Sequence, residues 1–128
     1  MRLTNIFEKN VVPLFYTAGS TIFEIGQPRD LMFIVQEGEV EIWIGNKVLE
    51  TVSVDGFFGE MALIDSGTRS ATAIAKTDCK LVPITEKQFL FMVQETPFFA
   101  LRVMRTLTAR LRQVDRRLMQ SEVPAQNS

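Results

Sequence analysis

Three residues in the run from Phe57 to Ala75, FFGEMALIDSGTRSATAIA, could do chemistry together: the carboxylate of Glu60, the guanidinium of Arg69 and the hydroxyl of Ser70. Gly56 and Gly59 bracket a phenylalanine pair, and Glu60 opens a short apolar turn, Met61 to Ile64, ahead of the loop DSG. The pattern predicts a strand, one helical turn and a loop. The start of such a turn presents backbone N–H groups that stabilise an anion without any side-chain charge. Arg69 and Ser70 add a fork of donors and a hydroxyl, so the segment suits a phosphate. Glu60 can only accept and cannot share that anion. It must serve a donor such as a ribose hydroxyl, and a hydroxyl beside a phosphate is what a nucleotide offers. Gly59, Ala62, Gly67, Ser70 and Ala71 are small enough for a ligand to approach the backbone. The same residues also allow a plainer reading, in which Glu60 and Arg69 form a structural ion pair across the loop.

Composition removes most competing chemistries. The 128 residues contain no histidine, which excludes imidazole metal sites, Ser-His-Asp and Cys-His nucleophiles, and histidine acid–base work. The same absence argues strongly against a jelly-roll metal enzyme of cupin type. GxGxxG and GK[ST] are both absent, so neither a dinucleotide fold nor a P-loop explains the phosphate reading. The single cysteine, Cys79, gives no disulfide framework and reads as a small buried apolar residue. No apolar run approaches the roughly 20 residues of a membrane span, and the opening MRLTNIFEKN lacks the apolar centre of a signal peptide, so a cytoplasmic location is expected. Residues 1–96 carry 8 basic and 13 acidic side chains, whereas 97–120 carry 6 arginines and one acid. An acidic body argues against direct nucleic-acid binding, which needs a clustered basic face.

The elements that must position the three residues can be read from periodicity. An apolar content of 46% suits one domain with one core. Leu3, Ile6 and Phe7 allow a short N-terminal helix within Met1 to Asn10. Short β-rich runs follow at Val11–Thr17, Thr21–Ile25, Leu31–Gln36, Glu39–Ile44 and Lys47–Ser53, divided by AGS, GQPRD, EG and GN. In EVEIWI the alternation puts Val40, Ile42 and Ile44 on a buried face and Glu39, Glu41 and Trp43 on a wetted one. Ala71–Lys76 and Cys79–Ile84 complete about eight strands by this reading of turn spacing, which predicts a mainly β, jelly-roll architecture with short helices and one long C-terminal helix.

Thr85 and Gln88 have capping-box spacing before a short helix with Phe89, Leu90 and Val93 as its apolar face. Thr96 and Pro97 then cap a longer helix to about Gln120, roughly 35 Å long at the standard rise. Within it Met104, Leu107, Leu111, Val114 and Leu118 form a 3,4,3,4 seam flanked by arginines, the pattern of a homodimer interface; the alternative is an amphipathic helix folded back on its own domain. Residues 121–128 are polar, carry a proline and are expected to form a disordered tail.

FGEMALIDSGTRSATAIA closely resembles the phosphate-binding cassette of the cyclic nucleotide-binding domain family, whose pattern is FGE, a short apolar helix, a variable loop and R[ST]A before a small-residue strand. The resemblance extends from about Pro13 to Gln120 and includes AGSTIFEIGQPRDLMFIVQEGEVEIW. It implies a β-roll, or double-stranded β-helix, over about 11–84, with hinge and lid helices over 85–120, all in a single domain covering 1–120, binding cAMP or possibly cGMP. Carried onto this chain, it implies Glu60 on the ribose 2′-hydroxyl, Arg69 on the cyclic phosphate and Ser70 donating to that phosphate. Phe58, Gly59, Met61, Ala62 and Ala71 would line the rest, with backbone N–H groups of Gly59 to Met61 and of Ser70 and Ala71 forming the cradle. Gly38 matches a glycine that permits a tight turn between strands. The Arg-Ser-Ala form is similar to that of bacterial regulators of the catabolite activator type. Thr68 stands where many relatives have proline, and Val114 and Asp115 stand where those bacterial relatives place polar residues against the base. No DNA-binding, channel or kinase-inhibitory segment is recognisable, so the resemblance implies a stand-alone sensor that signals through its C-terminal helix to an effector protein. The alternative is a ligand-free interaction domain of the same fold.

Overall fold

The computed structural model describes the backbone of residues 11–64 and 67–127, and side chains over 11–63 and 67–116. The helix expected within Met1 to Asn10 lies outside these residues. Among the described residues there are eight strands, β1 (Leu14–Tyr16), β2 (Thr21–Phe23), β3 (Met32–Glu37), β4 (Val40–Ile44), β5 (Lys47–Val52), β6 (Phe57–Phe58), β7 (Thr72–Ala75) and β8 (Cys79–Ile84). The helices described with them are α1 (Met61–Ile64), α2 (Glu86–Glu95) and α3 (Pro97–Asn127). The chain divides into two compact units at Phe91/Met92.

Within the first unit the strands form two four-stranded antiparallel sheets, ordered β1-β8-β3-β6 and β2-β7-β4-β5. This is the jelly-roll arrangement the turn spacing predicts: β2 pairs with β7 and β1 with β8, so the chain ends of the roll close each sheet. The inner faces meet in one cluster that includes Phe23, Phe33, Val35, Val40, Ile42, Phe58 and Leu81. On β7 the inward residues are all alanines, Ala73 and Ala75 with Ala71 just before the strand. Aromatic rings from β2, β3 and β6 fill that end of the core instead, with Phe23, Phe33 and Phe58 in mutual contact at centroid separations of 5.4–6.2 Å. β3 is covered on both faces, since Met32 and Ile34 are fully buried as well as Phe33 and Val35.

Two sequence expectations change here. The alternation in β4 holds for Val40 and Ile42 but not for Ile44, which is 49% exposed. A register shift between Ile42 and Trp43 moves the end of the β4–β5 ribbon out of phase with the core. Trp43, expected on the wetted face, is half-buried, and its indole N–H is enclosed without a hydrogen-bond partner. In α2 the capping box forms as expected, Thr85 N–H donating to Gln88 Oε1 at 2.8 Å and Gln88 N–H to Thr85 Oγ1 at 3.2 Å. Its buried residue, however, is Met92, while Leu90 is 58% exposed. The α-helical period places position 92 beside Phe89 and Val93, and Leu90 falls off that stripe.

In the second unit α3 starts at Pro97 after Thr96, as expected, and among its described side chains Phe99 and Val103 are buried. Of the expected seam, Met104, Leu111 and Val114 are exposed and Leu107 half-buried. The side chain of Leu118 is outside the described residues. The helix runs on to Asn127 through the segment expected to be a tail; Glu122, Ala125 and Gln126 are good helix formers, a preference that the proline signal had outweighed in the sequence reading.

One turn fastens the first unit. Gly38, between β3 and β4, has φ +90, and a Cβ there would run into the carbonyl of Asp78, with Thr77 Oγ1 at 2.8 Å and Cys79 Sγ at 2.9 Å. The Thr77–Asp78 turn holds its neighbours by side chain: Glu39 N–H donates to Thr77 Oγ1 and Ala18 N–H to Asp78 Oδ1. The Cys79 thiol, buried and donating to the carbonyl of Glu39, has its pKa pushed up by burial. The thiol form is therefore favoured in the folded chain, and the stability this gives is present below pH 9.0 and lost as pH rises through the folded value. Gly38→Ala combines a left-handed conformation with a backbone collision, so we expect it to lower stability by about 2–4 kcal/mol. Chemical denaturation of the two chains measures this, and a loss below about 1 kcal/mol would show that the turn relaxes freely.

Candidate functional site

The sequence folds sharply where β6 ends. Gly59 takes φ +76, a conformation glycine adopts without a Cβ penalty, and turns the chain from the sheet into α1. The Ala62 N–H donates to the Gly59 carbonyl at 3.1 Å and the Leu63 N–H to that of Glu60 at 3.0 Å. These two bonds occupy donors inside the turn. The cradle expected from Gly59 to Met61 lies just N-terminal to them, and Ala62 can offer a small surface but not its N–H. Glu60 and Ala62 are half-buried, and Met61 is 45% exposed.

On the other side of the loop, Arg69 enters the roll. It is 6% exposed, a buried cation. Its Nη2 donates to the carbonyl of Leu31 at 2.8 Å, its Nη1 approaches that of Gly59 at 3.4 Å, and its Nε is enclosed without a partner. The guanidinium carbon stands 4.0 Å from the centroid of the Phe23 ring and 6.0 Å from that of Phe33. A carboxylate is near, Asp30 Oδ1 at 3.8 Å, but the Asp30 side chain is 79% exposed, so solvent screens much of that attraction. Burial pushes the Arg69 pKa below its ordinary value; Asp30 opposes this shift, and the charge of Arg29 adds to it. The group stays a cation nonetheless, because an arginine starts several units above neutrality.

What fixes Arg69 in place is backbone pairing that the sequence did not announce. The segment before β3 lies antiparallel to the loop before β7, through Arg29 N–H to Gly67 O at 3.1 Å and Arg69 N–H to Gln27 O at 2.7 Å, around the bridge Pro28–Thr68. Gly26 N–H donates to Arg69 O at 2.9 Å, and Ile25 N–H to Thr72 Oγ1 at 3.0 Å. Arg29 Nη1 donates to Thr68 O at 3.1 Å. Thr68, at the position where proline was noted in the resembling pattern, is thus held by its neighbours on the β2–β3 loop. Asp65 and Ser66 lie outside the described residues.

The structure brings Phe58, Gly59, Arg69 and Ala71 together. Phe58 and Ala71 belong to the core cluster that contains Phe23, and a Cβ at Gly59 would stand 2.8 Å from Arg69 Nη1. Ser70 is adjacent and exposed. Sequence reasoning missed Phe23, Arg29, Asp30 and Leu31. GQPRD read only as a turn, although an Arg-Asp pair directly before the apolar run Leu31 to Val35 was a signal that charge belonged there. Among the described residues there is no cluster of acids, cysteines or histidines suited to a metal ion, and no helix long and apolar enough to cross a membrane.

Such an arrangement can bind an anion. A guanidinium out of water, with one short charge-assisted bond and an orphaned N–H, is stabilised by any acceptor with negative charge that reaches it. If its present contacts are incidental to folding, Arg69→Met should leave the stability of the ligand-free chain within about 1 kcal/mol of the parent or raise it, because apolar isosteres commonly replace buried charge without loss. A thermal or urea melt checks this, and a loss above about 3 kcal/mol would instead make Arg69 a structural cross-link.

Comparison with known proteins agrees with the geometry. A model of the cyclic nucleotide-binding domain matches residues 13–96. The chain is 40% identical over 83 residues to a cyclic nucleotide-gated potassium channel of Mesorhizobium japonicum, covering 65% of this chain and 23% of the channel. It is 31% identical over 105 residues to the cyclic AMP receptor protein of Thermus thermophilus, covering 78% of this chain and 49% of that protein. This chain thus spans less than half the length of either relative. Among solved structures, the catabolite activator protein of Thermus thermophilus superposes with a TM-score of 0.78 at 27% identity, over 90% of this chain and 56% of that one. A structure reported with a cyclic-GMP-dependent signalling pathway of bacterial phytopathogenesis gives 0.71 at 27% identity, over 87% of this chain and 94% of that one.

Proposed function

The chain belongs to the cyclic nucleotide-binding domain family, and on that premise we propose that it is a cyclic nucleotide sensor, a binding and regulatory module and not an enzyme. The observation that carries this reading is Arg69: a 6% exposed guanidinium with its Nε unpartnered, set between the Gly59 turn and the small strand β7. A cyclic phosphate supplies the anionic oxygens that this group lacks. In the proposed complex Arg69 takes the phosphate charge, the Ser70 hydroxyl and the N–H groups of Ser70 and Ala71 donate to its oxygens, and those of Gly59 to Met61 complete the cradle. Glu60 accepts from the ribose 2′-hydroxyl. Phe58 and Ala62 offer apolar and small surfaces beside the sugar.

Relatives named for cyclic AMP and for a cyclic-GMP-dependent pathway make both nucleotides candidates, with cAMP the first to test. The output element is α3. Its exposed Met104, Leu111 and Val114 are 55%, 62% and 43% accessible, and they carry the homodimer reading together with Leu107 and Leu118. Ligand can alter that surface only in so far as it binds one arrangement of the helix better than another. The buried free thiol of Cys79 suits the reducing cytoplasm as working compartment. An effector protein receives the signal.

Calorimetry with cAMP and cGMP tests the assignment directly. We expect micromolar or tighter binding of at least one, weakened by about 2–5 kcal/mol in Arg69→Ala; unchanged affinity in that variant would remove Arg69 from the phosphate site. If neither nucleotide binds or raises the melting temperature, the alternative of a ligand-free interaction domain takes over. For the seam, light scattering should report a dimer that Leu111→Glu converts to monomer, since a charge in a buried seam position is unpaired. A parent chain that is already monomeric with and without nucleotide would sink the dimer.

A further inference from the structure

Phe23, the ring beneath Arg69, has no role in the reading above. Phe23, at the end of β2, is 9% exposed and lies directly beneath the guanidinium, with its carbon 4.0 Å from the ring centroid. Phe23 cannot drift from that position, because it packs on Phe33 at 6.2 Å and on Phe58 at 5.9 Å, and those two rings stack on each other at 5.4 Å. The face of a phenyl ring is electron-rich and attracts a cation, more strongly when both are shielded from water. Arg69 needs such a partner. Its formal hydrogen bonding is one short bond to Leu31 O and one long one to Gly59 O, and its neighbouring carboxylate is largely solvated. An aliphatic residue at position 23 would fill the core equally well but would leave the guanidinium over a surface with no charge preference.

We propose that the Phe23 ring, buttressed by Phe33 and Phe58, is the seat that holds the Arg69 guanidinium in place for the anionic phosphate, which makes Phe23 a positioning residue for the ligand. The inference rests on the nucleotide-sensor reading for its ligand, and on the ring geometry alone for the seat. A seated cation meets the phosphate already oriented, so binding does not have to order a long, rotamer-rich side chain. The seat also explains the choice of phenylalanine at the point of the core nearest the charge, where leucine or isoleucine would serve packing alone.

Three measurements on the full chain decide it. In the ligand-free parent, NMR of the arginine side chains should place the Arg69 Nε–H proton upfield of the other arginines, as expected above a ring face. Phe23→Leu should abolish that shift and raise the Kd for cAMP by roughly tenfold, whereas Phe23→Tyr, which keeps the ring, should stay within about threefold of the parent. In a stability cycle, the melting-temperature loss on Phe23→Leu should shrink when Arg69 is also replaced in Phe23→Leu/Arg69→Met. An ordinary Nε–H position in the parent, or additive losses in the cycle, would overturn the seat, as would equal affinities of the leucine and tyrosine variants for cAMP. If Phe23→Leu does not fold, the parent spectrum alone decides. If the parent binds neither cAMP nor cGMP, the sensor reading fails while the spectrum and the cycle, which use no ligand, still judge the seat.

Discussion

A positive charge that has been taken out of water is the constraint on which this molecule turns. Arg69 sits inside a β-roll whose other buried residues, among those described, are apolar, and four strands contribute to keeping it there. β2 supplies the ring beneath it, β3 a carbonyl at its entrance and a second ring, β6 the glycine turn that leaves it space, and the short approach to β7 its backbone. A leucine in that position would ask nothing of them. The guanidinium needs acceptors, and the fold supplies fewer than it has donors. That deficit sets Arg69 apart from a well-packed core residue, and its burial means that solvent cannot cheaply make it good.

The supporting architecture keeps this deficit from being relieved in the wrong way. Gly59 has no Cβ, so the turn can pass within contact distance of Arg69. The antiparallel clip between residues 25–29 and 67–72 fixes the direction from which the arginine enters. At the opposite end, the Gly38 turn and the Thr77–Asp78 turn are locked together by side-chain bonds from Thr77 and Asp78. One end of the roll is tied by satisfied polar groups, the other holds an unsatisfied one. In the proposed reading, stability and binding thereby fall to different parts of the same two sheets.

Much of this was legible in the residues. Strand positions followed from two-residue alternation and from glycine-bearing turns, and Glu60, Arg69 and Ser70 stood out because charged and hydroxyl groups interrupted a small, apolar run. What stayed hidden depended on partners distant in sequence. Nothing local distinguishes Phe23 from any other core aromatic, since its meaning comes from a cation 46 positions later. GQPRD carries ordinary turn residues, and only the pairing with residues 67–69 shows that it supports the site. The exposure of Ile44 follows from a register shift between neighbouring strands, which alternation within one strand cannot reveal. In α2 the helical period was correct, but its phase was misplaced by assigning Leu90 to the apolar stripe in place of Met92.

The closure of the roll has a consequence for how the protein comes into being. β1 pairs with β8 and β2 with β7, so the first strands made by the ribosome wait for the last ones before either sheet is complete. Contacts that far apart along the chain form slowly, because the loop must be closed before the pairing rewards it. Arg69 is out of water only where the ring and carbonyls that receive it have been brought together around it. Before the roll has assembled, that side chain is an ordinary solvated arginine. The buried guanidinium is therefore a property of the assembled roll, and it returns to water when the roll unfolds.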